Sequence, residues 1–223
     1  MAALANDCGA GYEPELGVRH YQRTPSAPHG RSQADGGENL AAVDILAHAL
    51  WAGIGVTLAR RRWTITRRTA VITVGAAILP DLIHLVPLIA WWLFGEGSLA
   101  TVEAYAVAVP GEEPTLPHVV NLLSHHLHCI LHSAIVAGAV PLLAWAVTRS
   151  LWIPLLGWWS HIVIDVFTHS ATFYPVPVLY PITERGFDGL AWNTPWFMVL
   201  NSVSLTLTVL WLFYTRRDSR NGR

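Results

Sequence analysis

The sequence predicts an all-α, polytopic membrane protein: a bundle of about five transmembrane helices, the second of them kinked or broken. Three observations predict it. The 223 residues are 52% hydrophobic and 13% charged with a mean hydropathy of +0.38, too apolar for an ordinary soluble domain. The apolar residues gather into runs near the roughly 20 residues needed to cross about 30 Å of hydrocarbon. Ten of the 14 arginines fall in alternate segments around those runs, as the positive-inside rule requires of a chain that crosses repeatedly.

Taken in order, residues 1–40 are rich in Gly, Pro, Ala and charged residues without apolar periodicity, and read as a disordered tail. No basic segment, apolar core and small-residue cleavage site follow one another there. The segment therefore does not read as a cleaved signal, and insertion is expected to rely on the first span. That span runs from about Leu40 to Ala59 and stops at Arg60, Arg61 and Arg62. The second, from about Ala70 to Phe94, carries Pro80 and Pro87, which should kink or break it around Asp81 and His84. A broken helix at membrane depth usually lines a cavity. After a polar, acidic connection with Glu96, Glu103, Glu112 and Glu113, a third run covers roughly Val119 to Val147, a fourth Leu151 to Phe167 and a fifth Pro195 to Tyr214. The segment from Ser170 to Thr194, rich in Pro, Gly and aromatics, reads as an ordered re-entrant or capping loop. The transmembrane domain is thus 41–215, with a basic C-terminal tail at 216–223.

Arg60, Arg61, Arg62, Arg67 and Arg68, then Arg149, then Arg216, Arg217, Arg220 and Arg223 mark three segments as cytoplasmic. The N-terminus is then outside and the C-terminus in the cytoplasm. Many of the 11 tryptophans lie near the expected helix ends, where their rings favour the interface. With a formal charge of -1, the chain presents no basic surface suited to nucleic acid. Cys8 and Cys129 make neither a disulfide framework nor a Cys-x-x-Cys zinc motif.

Against this apolar background stand His48, Asp81, His84, His125, His126, His128, His132, His161, Asp165 and His169, within or at the edge of the runs. Ionisable groups at that depth are costly, which makes an intramembrane metal site the default hypothesis. His161-x-x-x-Asp165-x-x-x-His169 puts three ligand types on one helical face, each about 40° from the last. The bland alternative is a polar stripe, or a His–Asp hydrogen bond between helices. In the third run His125, His128 and His132 share a face. His132 is the deepest and is the expected ligand; His125 and His126 lie near the interface, where a histidine is cheap, and His128 is either a ligand or a neighbour of one. Asp81 and His84 follow Pro80, and Asp81 could equally cap the second half of a broken helix. His48 is either a ligand or a packing residue. Counted at about 1.5 Å per residue, His48, His84, His132, His161 and Asp165 all fall roughly 8 to 20 Å below the outer surface. Mixed nitrogen and oxygen donors suit Zn²⁺, with Mn²⁺ or Fe²⁺ as alternatives, better than Ca²⁺ or Mg²⁺.

Glu184, Arg185 and Asp188 could meet an anionic substrate or simply face water. Ser133 and Ser160 neighbour histidines, but no Gly-x-Ser-x-Gly elbow supports a serine triad. A P-loop, a Gly-x-Gly-x-x-Gly fingerprint and a His-Glu-x-x-His helix are absent from the sequence.

These residues resemble a group of bacterial membrane-bound, metal-dependent hydrolases described as LexA-binding and inner-membrane-associated. The motifs that carry the resemblance are His48, then Pro80, Asp81 and His84, then His132 and Ser133, then Ser160, His161, Asp165, Thr168 and His169, with Tyr180 and Pro181 after them. Together they cover most of residues 41–200. Ile83 stands where the group carries a second carboxylate, and His128 lies four rather than five residues before His132, departures that count against a two-metal site. The group is distantly similar to zinc-dependent phospholipase C enzymes, which implies phosphoester hydrolysis in the bacterial inner membrane.

The expectation is therefore a membrane hydrolase whose divalent metal is held by His84, His132, His161 and Asp165, with Asp81 and His48 as further ligands or their supports. Asp81 or His169 would act as base towards a metal-activated water, and a lipid-like phosphoester or related ester or amide would enter from the bilayer. A divalent-metal transporter or channel using the same cluster is the alternative. A scaffold with a fully ligated structural metal is a third possibility.

Overall fold

A computed structural model describes residues 34–108, 112–150, 152–171 and 173–221, and these are helical with no strand among them. In chain order the helices are α1 (Ala34–Ala59), α2 (Arg67–Ile83), α3 (Val86–Phe94), α4 (Leu99–Val107), α5 (His118–Leu131), α6 (Ala134–Thr148), α7 (Leu155–Thr168) and α8 (Pro195–Asn221). Most of the expected N-terminal tail, residues 1–33, lies outside the described residues. The helix nevertheless starts at Ala34, ahead of the expected Leu40, and α8 carries on to Asn221 through most of the expected C-terminal tail.

The all-α expectation holds. Of the expected spans, the first, fourth and fifth correspond to α1, α7 and α8. The second is divided, as its prolines suggested: α2 and α3 meet at 61° across His84 and Leu85, with Pro80 inside α2 and Pro87 in the first turn of α3. The third, expected to be continuous, is divided too, α5 and α6 meeting at 68°. Helix α4 occupies the acidic connection where none was expected; Ser98 caps it by accepting the Thr101 N–H at 3.0 Å. Among the described residues, Pro195–Thr215 is the one helix long and apolar enough to cross a membrane alone. Each bent pair passes the same test when its two halves are taken together, while Asp44–Ala59 and Leu155–Thr168 are apolar but shorter.

The α5–α6 corner has identifiable causes. Ser133 accepts the Val136 N–H at 3.2 Å, which caps α6, and donates its own hydroxyl hydrogen to the Tyr180 carbonyl at 2.5 Å. The Ala134 N–H bonds the Val178 carbonyl at 2.9 Å. Groups of the 170–194 segment thus take over bonds that a continuous helix would make internally. The same segment closes α7, whose terminal carbonyls at Phe167, Thr168 and His169 accept N–H groups from Leu190, Trp192 and Gly189 at 2.9, 2.7 and 2.8 Å. Of the two readings of this loop, re-entrant or capping, these bonds make it a cap on α7.

Helix α2 packs between α1 and α7. Its closest approach is at Gly157, where an added Cβ would run into the Thr73 carbonyl. Helix α8 lies on α1 through Ile54, Leu205 and Leu212, and the Trp51 indole N–H donates to Asn201 Oδ1 at 2.9 Å. Near the other end of that contact Arg61 donates to Thr215 at 2.6 Å and stacks over Trp211 at 4.9 Å. Large apolar side chains are exposed along every helix, Phe94 (89%) and Val147 (84%) most openly.

Candidate metal centre

Four of the expected ligands meet at one point. His161 and Asp165 share a face of α7, one turn apart, and α2 brings Asp81 opposite them. The backbone corner at His132, where α5 ends with φ -97° and ψ 6°, turns that side chain inward to complete the set. One ligand atom from each of Asp81, His132, His161 and Asp165 lies within 4.8 Å of all the others. The closest approaches are His161 Nε2 to Asp165 Oδ2 at 3.0 Å and to His132 Nε2 at 3.1 Å, with Asp81 Oδ1 3.5 Å from His161 Nε2 and 3.7 Å from His132 Nε2. His161, Asp165 and His132 are 0, 1 and 2% exposed, so water does not screen them.

The proton positions follow from the partners. His161 Nδ1 lies 2.8 Å from the Ala77 carbonyl and His132 Nδ1 2.8 Å from the His128 carbonyl. A carbonyl oxygen only accepts, so each Nδ1 carries the hydrogen. In the neutral imidazoles both Nε2 atoms are then bare acceptors, facing each other and two carboxylates. Acceptor against acceptor in a buried space is unfavourable unless something positive lies between them. A histidine that donates through Nδ1 to a backbone carbonyl while Nε2 faces inward is also the usual disposition of a metal-bound imidazole. The group therefore fits a metal ion on its donor chemistry as well as on its geometry.

His48, on α1, joins the centre from the other side: its Nε2 lies 2.9 Å from Asp165 Oδ1 and 3.6 Å from Asp44 Oδ1. Asp44 was not anticipated. Its signal was the spacing Asp44-x-x-x-His48, the mirror of His161-x-x-x-Asp165. Asp44, His48 and Asp81 form a second group whose ligand atoms lie within 4.8 Å of one another.

His84, expected as a ligand, stands beside these groups and belongs to neither. Its Nδ1 lies 3.4 Å from the Pro80 carbonyl, and its ring meets the edge of His128 at 5.6 Å and faces Tyr105 at 6.4 Å. His128 in turn stacks on His132 at 4.1 Å, a neighbour of the site rather than a member. His169, expected as a base, sits at the end of α7 with Nδ1 3.2 Å from the Asp165 carbonyl and its ring stacked on Phe173 at 6.2 Å. His126 Nδ1 is 3.1 Å from the Tyr180 hydroxyl and His125 is 3.8 Å from Glu184, so both are engaged with the loop. Asp188 accepts the Ala171 N–H at 2.8 Å, which makes it part of that loop's own structure. Ser133 and Ser160 donate to backbone carbonyls, Tyr180 and Gly157, and neither reads as a nucleophile.

The loop is clasped to the α4–α5 connection by Tyr174, whose hydroxyl lies 3.0 Å from the Ala108 carbonyl and 3.1 Å from Glu113 Oε1. Burial, with Glu113 nearby, pushes the Tyr105 phenol up to about 12 and pushes Tyr174 upward as well. Both remain neutral hydrogen-bond donors around pH 7. No family model, curated protein or solved structure matches the chain, so what identifies this centre is its own geometry: a buried histidine and aspartate group that can hold a metal ion.

Proposed function

We propose that this chain is a membrane-embedded, metal-dependent hydrolase acting on a lipid-like phosphoester or related ester, with the cation held by Asp81, His132, His161 and Asp165. The observation that carries the reading is the pair of inward Nε2 atoms 3.1 Å apart, each held by a backbone carbonyl at its far nitrogen and flanked by carboxylates. Mixed nitrogen and oxygen donors favour Zn²⁺. The bound cation supplies Lewis acidity, which polarises the scissile oxygen and eases deprotonation of a water. The protein does the positioning. The Ala77 and His128 carbonyls fix the two rings, and Asp165 presents one oxygen towards His132 and His161 and the other towards His48. Asp81, at 18% side-chain exposure the most open of the four, keeps Oδ2 without a hydrogen-bond partner and is the group placed to take a proton from water.

In this reading α1, the α2–α3 pair, the α5–α6 pair, α7 and α8 are five spans. The lengths of the two pairs and of α8, together with apolar side chains exposed on every helix, support it. The resemblance in the motifs around Asp81, His132 and His161 points the same way, to the bacterial inner membrane. Metal analysis of protein purified without chelators is the test. Wild type should carry at least one transition-metal ion per chain, His161→Ala less than about a tenth of that, and lipid phosphoester cleavage should stop with chelator and return with Zn²⁺. Metal-free wild-type protein would end the proposal.

A further inference from the structure

We propose a second cation site beside the first, built by Asp44 and His48 of α1 and shared through Asp81 and Asp165, so that the centre holds two divalent ions bridged by carboxylates. The inference rests on the metal reading above and extends it. Among the described residues, the buried side-chain atoms without a hydrogen-bond partner are His48 Nδ1, His48 Nε2, Asp81 Oδ2, Asp165 Oδ1 and Ser124 Oγ. Four of these five belong to this one place.

A single ion among Asp81, His132, His161 and Asp165 leaves His48 and Asp165 Oδ1 unexplained. Asp165 is the clearest case. Its Oδ2 faces His161 and His132 at 3.0 and 3.3 Å, while Oδ1 turns away to His48 Nε2 at 2.9 Å without hydrogen-bond geometry. A carboxylate with one oxygen aimed at each of two donor sets is disposed as a bridge. Asp81 offers a ligand atom to both sets. His48, 1% exposed, offers an imidazole nitrogen 3.6 Å from Asp44 Oδ1.

Charge allows it. Asp44, Asp81 and Asp165 bring three carboxylates into a space little reached by water, enough anionic oxygen for more than one divalent ion: one ion would leave a balance of -1 over these carboxylates and two would leave +1. The sequence argued against a second ion because Ile83 takes the place of a carboxylate. Asp44 supplies that carboxylate from another helix. Paired ions are a common means of gripping a phosphoryl group at both its attacking and leaving oxygens, which suits the phosphoester substrate.

The rival arrangement is one ion, with His48 serving only as a hydrogen-bonding partner of Asp165. Full-length protein in detergent, loaded with Mn²⁺ and freed of excess, distinguishes them by elemental analysis and electron paramagnetic resonance. The expected result is two ions per chain with an exchange-coupled spectrum, falling to one ion with an isolated Mn²⁺ spectrum in Asp44→Asn and in His48→Gln. One ion per chain in wild type would overturn the second site and leave the hydrolase reading standing; none would overturn both. Two ions retained in both variants would overturn the assignment to Asp44 and His48. Should either variant fail to fold, the wild-type stoichiometry and spectrum decide alone.

Discussion

At Gly157 a missing methyl group lets α7 rest on α2, with the Thr73 carbonyl occupying the space a side chain would need. One turn further along the same contact, the Ala77 carbonyl holds His161. Gly157→Ala should therefore separate the two helices, costing about 1–3 kcal/mol of stability and weakening metal binding together with it. Thermal unfolding and metal content of the variant check this, and an unchanged melting point with full metal occupancy would refute it. Residues of this kind were only partly legible. His48, Asp81, His132, His161 and Asp165 stood out because ionisable groups in apolar runs need a reason. Asp44 did not, since a carboxylate a few residues inside the expected edge of a span reads as an inexpensive interfacial group. His84 stood out on the same grounds; its neighbour Asp81 faces the centre, and the rotation over three residues sets the His84 ring beside Tyr105 and His128.

At the scale of elements the two bent pairs differ in how they are written. The α2–α3 break is announced by Pro80 and Pro87, whose missing N–H groups any reader of the sequence can find. The α5–α6 corner has no proline or glycine at His132 or Ser133; it is made by bonds from Val178 and Tyr180, nearly fifty residues away, and no local pattern encodes them. Ser133→Ala removes both the cap of α6 and the donor to Tyr180, at a cost of roughly 1–3 kcal/mol. Because His132 sits on the corner, metal affinity should drop about 10- to 100-fold as its ring loses its placement. Competition with a chromogenic chelator measures it. Affinity equal to wild type would show that the corner is held by other means.

For the whole molecule, the ends of α1 and α8 lie on one side, joined by Arg61 to Thr215 and Trp211. The proposed five-span topology would put that side in the cytoplasm. A fluorescent reporter fused after Arg223 should therefore be bright and a periplasmic phosphatase fused there inactive; the reverse pattern would invert the orientation. Fold class was legible because composition and run length constrain it, whereas the number of crossings was not, since length and apolarity single out one helix and two bent pairs. One of the remaining helices has a consequence of its own. With 14 residues, α7 is about 21 Å long, roughly 9 Å short of the hydrocarbon it would have to traverse. If α7 is a span, as proposed, a bilayer round so short a rod would thin beside it. In the five-span reading that dimple would press on the helix that carries His161 and Asp165, and thicker lipids would strain it further.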